Sequence, residues 1–305
     1  YSQSAQAVYQ EIVWPSLTSI ASRTGAKMTC MMTPQFTYTD EEEPDGENVT
    51  YYLKRLKEEH AEAGLSADSR EGIPLSEKIK QDQTFWQTYA PSYRFLSLYA
   101  DGVKSIGEES ALPAEIRTVA LGSGASGQAV GYLNENVTLQ PSTSSGIRHT
   151  FLDDFKVKCM ETALGYSNIT LDLYSVTYPE GDEDSWEKMS KKIAANLGTY
   201  WKAYEAFDAT TLTESDVRIR RFLALDYKQQ RAGNVITLSL EHREDAAWFL
   251  LRLHGEKVTE VAGGSFEEIE DGVYLILAEE DEVSVKVQNG ETWQYQDGGK
   301  RGDGT

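Results

Sequence analysis

The chain has 305 residues, 29 Lys and Arg against 49 Asp and Glu, and a formal charge of −20. A surface that acidic repels phosphate backbones and anionic headgroups, which argues against nucleic acid and lipid surfaces as partners. No apolar run approaches the ~18 residues of a membrane span, so no membrane insertion by this segment is expected, and the length suits one large domain plus a small one.

In chain order, the first predicted helix covers 5–23, with Val8, Ile12, Leu17 and Ile20 on one side and Gly25 closing it. Pro15 inside it predicts a kink or a break. A strand is expected over Ala26–Phe36, an acidic loop over Asp40–Asn48, and a helix over 49–63 that stops at Gly64. Helix 74–89 opens on Pro74, a residue suited to a first turn. Apolar runs at Tyr93–Tyr99, Ile116–Leu121 and Ala129–Leu139 predict strands, followed by helix 152–163 and a run over Ile169–Val176. Asp184 with Glu187 forms a capping-box pattern for helix 185–206. Its stripe of Trp186, Met189, Ile193, Leu197, Tyr200, Trp201 and Tyr204 reads as core packing rather than a sugar platform.

The rhythm changes near Ser215. After the polar connector Thr210–Ser215 the chain reads as strands with no helix among them: Arg218–Leu225, Val235–Leu240, Ala247–Leu253, Lys257–Val261, Val273–Ala278 and Glu282–Val287. Their alternation predicts a small β-sandwich over 217–288, and the Gly-rich segment 289–305 reads as a flexible tail. Trp248, in Ala246-Ala-Trp-Phe-Leu-Leu-Arg, and Trp186 are both expected to be mainly buried.

The motifs are mostly accounted for without chemistry. Gly122-Ser-Gly124-Ala-Ser-Gly127 has the dinucleotide-loop spacing but runs into a strand, not into the helix that would hold a pyrophosphate. Residues 40–46 fit the first positions of a calcium loop, yet position twelve is Tyr52, which supplies no bidentate carboxylate. His60, His149, His242 and His254 are too dispersed for a helical metal pair, so no metal and no cofactor are expected. Cys30 and Cys159 sit in apolar settings, and two buried thiols are expected in preference to a disulfide. A chain that begins at Tyr1 reads as a segment of something longer.

The order of elements resembles a polysaccharide-deacetylase-like (NodB-type) domain, a distorted (β/α) barrel, over about 8–288. Gly25-Ala-Lys-Met-Thr-Cys-Met-Met looks like that fold's second strand, with residues 62–70 at the third and Asn168–Val176 at the last; the first would precede Tyr1. The strands after 217 are similar to accessory β domains of large bacterial cell-envelope proteins. The resemblance implies an α/β fold, a (β/α) barrel over 1–210 followed by an all-β sandwich, and a polysaccharide context. It also implies a metal held by an Asp pair and by His-x-x-x-His. At the latter this sequence reads Glu62-Ala-Gly64-Leu-Ser66-Ala-Asp68-Ser-Arg70, without histidine, which argues against the deacetylase reaction.

The reading that follows is a non-catalytic, extracellular or cell-envelope protein that binds or organises a polysaccharide. Strand C-terminal ends carry a barrel's ligands, and the candidates there are Asp40, Tyr99, Gln140 and Asp172. Two alternatives stand beside it: a metal-independent hydrolase or esterase using paired carboxylates (Asp172 with Asp40, or Asp153 with Asp154), and a structural spacer.

Overall fold

A computed structural model describes residues 9–32, 46–67, 75–100, 112–122, 129–147, 150–163, 165–173, 181, 185–201 and 208–289. The chain divides into two compact units, Tyr1–Arg220 and Arg221–Thr305.

The first unit is mixed α/β. Its main sheet has the order β1-β2-β3-β4-β6-β5. β1 (Thr29–Met32), β2 (Glu62–Ser66), β3 (Ser97–Ala100), β4 (Thr118–Leu121) and β6 (Thr138–Pro141) run parallel, and the short β5 (Gly131–Tyr132) returns antiparallel along β6. β7 (Ser144–Ser145) and β8 (Ile169–Thr170) form a separate parallel pair. Among the described residues no strand pair closes this sheet into a ring.

Period-two alternation gives the sheet two unlike faces. Ala63, Leu65, Leu98, Ala100, Val119, Leu121 and Leu139 join one apolar core with Val49 and Leu56 of α2 (Gly46–Glu58) and Ile79 and Trp86 of α3 (Leu75–Tyr89). The alternate strand residues Glu62, Gly64, Ser66, Ser97, Tyr99, Thr118, Ala120, Thr138 and Gln140 take the other face. A third set packs separately: Val13 and Leu17 meet Met189 of α5 (Trp186–Trp201), with Trp186 partly buried against them. Of the predicted stripe, Trp186, Met189 and Ile193 are thus core packing beside α1 (Trp14–Thr24), while the side chains of Tyr200, Trp201 and Tyr204 lie outside the described residues.

Several boundaries differ from the sequence reading for identifiable reasons. The first helix is a π turn, Tyr9–Val13, followed by α1, so Pro15 sits in a first turn instead of breaking a long helix. That offset buries Val13 and leaves Ile12 outside. Helix α2 ends at Glu58, closed by His60 at φ 54° and an Ala61 N–H to Leu56 carbonyl bond of 2.9 Å. Gly64 is no helix stop. It lies in β2, where a Cβ would fall 2.5 Å from Met31 Sδ and 2.6 Å from Ser97 Oγ. The run Ala129–Leu139 divides into β5 and β6 because Asn134 Oδ1 accepts the N–H groups of Asn136 and Val137 and turns the chain.

The largest correction concerns 217–225. Residues Leu212–Ala224 form helix α6, not a strand. The connector before it contains a capping box: Glu214 N–H meets Thr211 Oγ1 at 3.3 Å, while Thr211 N–H donates to Glu214 Oε2 at 2.9 Å. The block of strands accordingly starts at Asp226 and not at 217. Helix α4 (Phe151–Thr162) is capped in the same way, with Thr150 N–H and Oγ1 donating to Asp153 Oδ2 at 2.9 and 2.6 Å. The expected capping residue Asp184 lies outside the described residues, as does everything beyond Asn289.

The second unit holds two antiparallel sheets, β12-β15-β10-β9 and β11-β14-β13. Their strands are β9 (Asp226–Ala232), β10 (Val235–Glu241), β11 (Ala247–Arg252), β12 (Glu256–Ala262), β13 (Gly264–Glu270), β14 (Val273–Ala278) and β15 (Glu282–Asn289). Ile236, Leu238, Val283, Val285 and Val287 of one sheet share a core with Tyr274, Ile276 and Ala278 of the other. β9 and β13 are not anticipated by sequence. Both are edge strands, and β9 is exposed along its whole length, so neither carries the alternation that betrays a half-buried strand. Trp248 corrects a further expectation. It is 48% exposed, because Ala247, Phe249 and Leu251 take the core-facing positions of β11 and the indole takes an outward one. Cys159 is exposed on α4 as well, where Val157 takes the buried position, and neither cysteine is in a disulfide.

Candidate functional site

The second face of the parallel sheet is polar, and its residues fall into rows set by strand register. Met31 pairs with Gly64, and Ser97 with Thr118 and Thr118 with Thr138, which makes a lower row. One step toward the strand C-terminal ends, Ser66 pairs with Tyr99, Tyr99 with Ala120, and Ala120 with Gln140. Two of the four predicted residues, Tyr99 and Gln140, thus share one row with a small residue between them. Two strand spacings separate them, roughly 10 Å.

Gln140 is nevertheless not a ligand group. It is wholly buried, and its Nε2 donates to Thr118 Oγ1 at 2.7 Å and to the Leu212 carbonyl at 2.9 Å. Its Oε1 is buried with no hydrogen-bond partner. An amide N–H can only donate and a carboxylate can only accept, so the hydroxyl protons between Gln140 and Asp216 are ordered. Thr118 takes the amide proton and gives its own to Thr138, 2.9 Å away, and Thr138 gives its proton to Asp216 Oδ1 at 2.6 Å. Asp216 is completed by Arg220 Nε at 3.0 and 3.1 Å. Arg220 also donates to the carbonyls of Arg117 and Asn136 and sits 5.6 Å from the Tyr132 ring centroid.

A second anchor lies at the other end of the sheet. Glu62 Oε1 accepts from Ser97 Oγ at 2.5 Å and from Thr213 Oγ1 at 2.6 Å, and Oε2 accepts the Thr213 N–H at 2.9 Å. Thr29 Oγ1 accepts the Leu212 N–H at 2.9 Å. A carboxylate thus sits at the positive end of α6, where unpaired N–H groups and the helix dipole favour it. Beside it, burial pushes the Tyr93 phenol up, the backbone bond with Ala63 opposes this, and the Glu62 charge adds to it. The N-terminal ends of the parallel strands are thereby closed by α6 through two hydrogen-bonded carboxylates. None of Glu62, Thr118, Thr138, Asp216 and Arg220 is singled out by sequence. The legible signal is Thr211 and Glu214, which announce a helix start.

The remaining candidates are dispersed. Tyr99 is half-buried at the C-terminal end of β3. Asp172 is exposed beyond β8, and Asp40 lies outside the described residues. Asp153 and Asp154 are no catalytic pair, since Asp153 caps α4 and Asp154 meets Lys158 Nζ at 3.0 Å. A further buried pair, Lys78 Nζ with Asp82 Oδ1 at 3.3 Å, lies one turn apart on α3. Burial pushes the Cys30 thiol up to about 12, which leaves it protonated and a poor nucleophile at neutral pH. Among the described residues no three His, Cys, Asp or Glu side chains are grouped to hold a metal, and no helix is long and apolar enough to cross a membrane.

Comparison with known proteins adds little. No family model matches this chain, and no curated protein matches it. Among solved structures, an alpha-amylase from H. orenii aligns at a TM-score of 0.28 and 10% identity. That alignment covers 79% of this chain, which spans 64% of the amylase. At that TM-score the likeness carries no argument about fold or function.

Proposed function

We propose that this chain is a non-catalytic, deacetylase-like (β/α) barrel with an all-β sandwich, which binds a polysaccharide outside the cell or in its envelope. The observation that supports this reading is the asymmetry of the parallel sheet. Its N-terminal strand ends are closed by α6, while the row at the C-terminal ends holds a half-buried Tyr99 between the small residues Ser66 and Ala120. Ligands of parallel α/β sheets gather at strand C-terminal ends, and an aromatic ring there can stack on a sugar. Gln140 is spent on α6, Asp153 on capping α4 and Asp154 on its ion pair with Lys158.

Affinity electrophoresis in gels containing soluble polysaccharides tests the reading. The wild-type chain is expected to be retarded by at least one polysaccharide. Tyr99→Ala should weaken that retardation about tenfold or more, equivalent to about 1.4 kcal/mol. Tyr99→Phe should keep the stacking part. No retardation by any polysaccharide, or equal retardation of wild type and Tyr99→Ala, overturns the proposal.

A further inference from the structure

The outward face of the three-stranded sheet in the second unit has a definite composition, fixed by register. Trp248 pairs with Leu277 and Leu277 with Ser265; Leu250 pairs with Leu275 and Leu275 with Glu267; Arg252 pairs with Val273 and Val273 with Glu270. Paired residues of an antiparallel sheet project to the same side. The inward side is identified independently, because Ala247, Phe249, Leu251, Tyr274, Ile276 and Ala278 belong to the sandwich core. Trp248 therefore stands outward at 48% exposure on an edge strand. The opposite edge strand, β13, carries exposed Ser265, Glu267 and Glu270 on the same side.

We infer that this face binds a glycan bearing protonated amines, with the indole of Trp248 under a sugar ring and the carboxylates of Glu267 and Glu270 facing the amines. Three features carry the inference. An aromatic face attracts both the C–H side of a sugar and a cation held over it. The two carboxylates outnumber the single Arg252 on this side, and the chain as a whole carries −20, so a cationic ligand is drawn in where an anionic one is repelled. The separation of the two edge strands, roughly 10 Å from two strand spacings, matches a ligand of about two hexose rings. Leu275, at the centre of this side, is only 4% exposed, so the accessible groups are those of the two edge strands, and a ligand that reaches both is an extended polymer and not a small solute. This inference rests on the polysaccharide reading above but places a second, chemically distinct contact in the other unit.

The test is titration calorimetry of the full chain with a glucosamine hexamer at mildly acidic pH, where its amines are protonated, using the N-acetylglucosamine hexamer as the uncharged control. The amine oligomer is expected to bind and the acetylated one to bind about tenfold more weakly or worse. Trp248→Ala should lose the binding, Trp248→Phe should recover part of it, and Glu267→Gln should weaken it and flatten its salt dependence. Denaturation midpoints of the variants separate a lost ligand contact from a lost fold, and the exposed Glu267 provides a substitution that cannot empty the core. Equal binding of the two oligomers overturns the inference. So does binding of the amine oligomer that survives Trp248→Ala. Loss of binding in Tyr99→Ala with none in Trp248→Ala sinks this inference and leaves the polysaccharide reading standing. Absence of binding by the wild type to any oligomer or polysaccharide sinks both.

Discussion

The two units bury strands by different means. In the sandwich, every buried side chain between the sheets is apolar apart from the Tyr274 hydroxyl, from Ile236 and Leu238 to Ile276 and Val285. The parallel sheet is apolar only toward α2 and α3, and on its other face it buries Thr118, Thr138, Gln140 and Asp216. Apolar burial scales with area and tolerates small shifts, whereas a buried polar cluster works only where each donor finds an acceptor. The first arrangement supplies stability to the sandwich. The second fixes where α6 can lie, since only one placement satisfies Glu62, Thr29, Thr138 and Gln140 together.

The largest effect is expected in the apolar core of the sandwich. Ile276 is wholly buried at the centre of the sandwich. Ile276→Ala is expected to destabilise the second unit by about 2–5 kcal/mol, the usual range for emptying a packed site. Chemical denaturation followed by a probe within that unit measures it. A loss under about 1 kcal/mol would mean that the two sheets are not closely packed there.

The polar face should respond differently. Glu62→Ala removes a carboxylate that accepts from Ser97, Thr213 Oγ1 and the Thr213 N–H. The expected cost is about 1–3 kcal/mol, from donors left without acceptors. Its signature is local: amide exchange should accelerate at Thr213 and along the first turn of α6, with the sandwich amides unchanged. Uniform acceleration through the whole first unit would show that Glu62 supports the sheet and not the helix. Combining it with Asp216→Asn, which disturbs the other anchor, should depart from additivity if both hold one helix.

What the sequence discloses follows the same division. Strands β10 and β15 are legible because each has one wet and one dry face, and α3 and α5 because their apolar residues recur at helical steps. The exposed edges β9 and β13 carry no such contrast. α6 is misread because Val217 and Ile219 alternate with Asp216, Arg218 and Arg220 as in a strand, and its only buried apolar residue is Ile219. Its docking is polar, and hydropathy cannot register a helix held by hydrogen bonds. The same blindness affects the candidate site: Gln140 lies in the expected row, but its amide is committed to Leu212, more than seventy residues on. Trp248 fails for the opposite reason, since a run apolar on both faces does not say which face meets solvent.

Thr211 tests whether the start of α6 is locally encoded. Thr211→Ala removes the hydroxyl that meets the Glu214 N–H and should cost about 1 kcal/mol, the usual effect of losing an N-cap. Thr211→Ser should restore most of it. Thermal denaturation of the two variants distinguishes a cap from a packing role, because Ser keeps the hydroxyl and drops the methyl group. An equal loss in both variants would assign the effect to the methyl group.

The smallest effect is expected at the exposed counterpart of the Glu62 anchor. Lys27 Nζ meets Glu214 Oε1 at 2.7 Å, with the two side chains 44% and 47% exposed. Partial burial pushes the Glu214 carboxyl up, but the Lys27 contact and the Thr211 N–H together hold it below its ordinary 4.5. A carboxyl depressed in the folded state stabilises above its unfolded pKa, and that contribution is lost as pH falls through the folded value. The window therefore opens near pH 4.5 and extends to the acid side. Lys27→Ala should change stability at neutral pH by less than about 1 kcal/mol, and high salt should remove most of the difference. Glu62, bonded to a helix terminus and two hydroxyls, should keep its effect in the same salt. A Lys27 effect as large and as salt-resistant as that of Glu62 would mean that long-range attraction, not directed hydrogen bonding, holds α6 to the sheet.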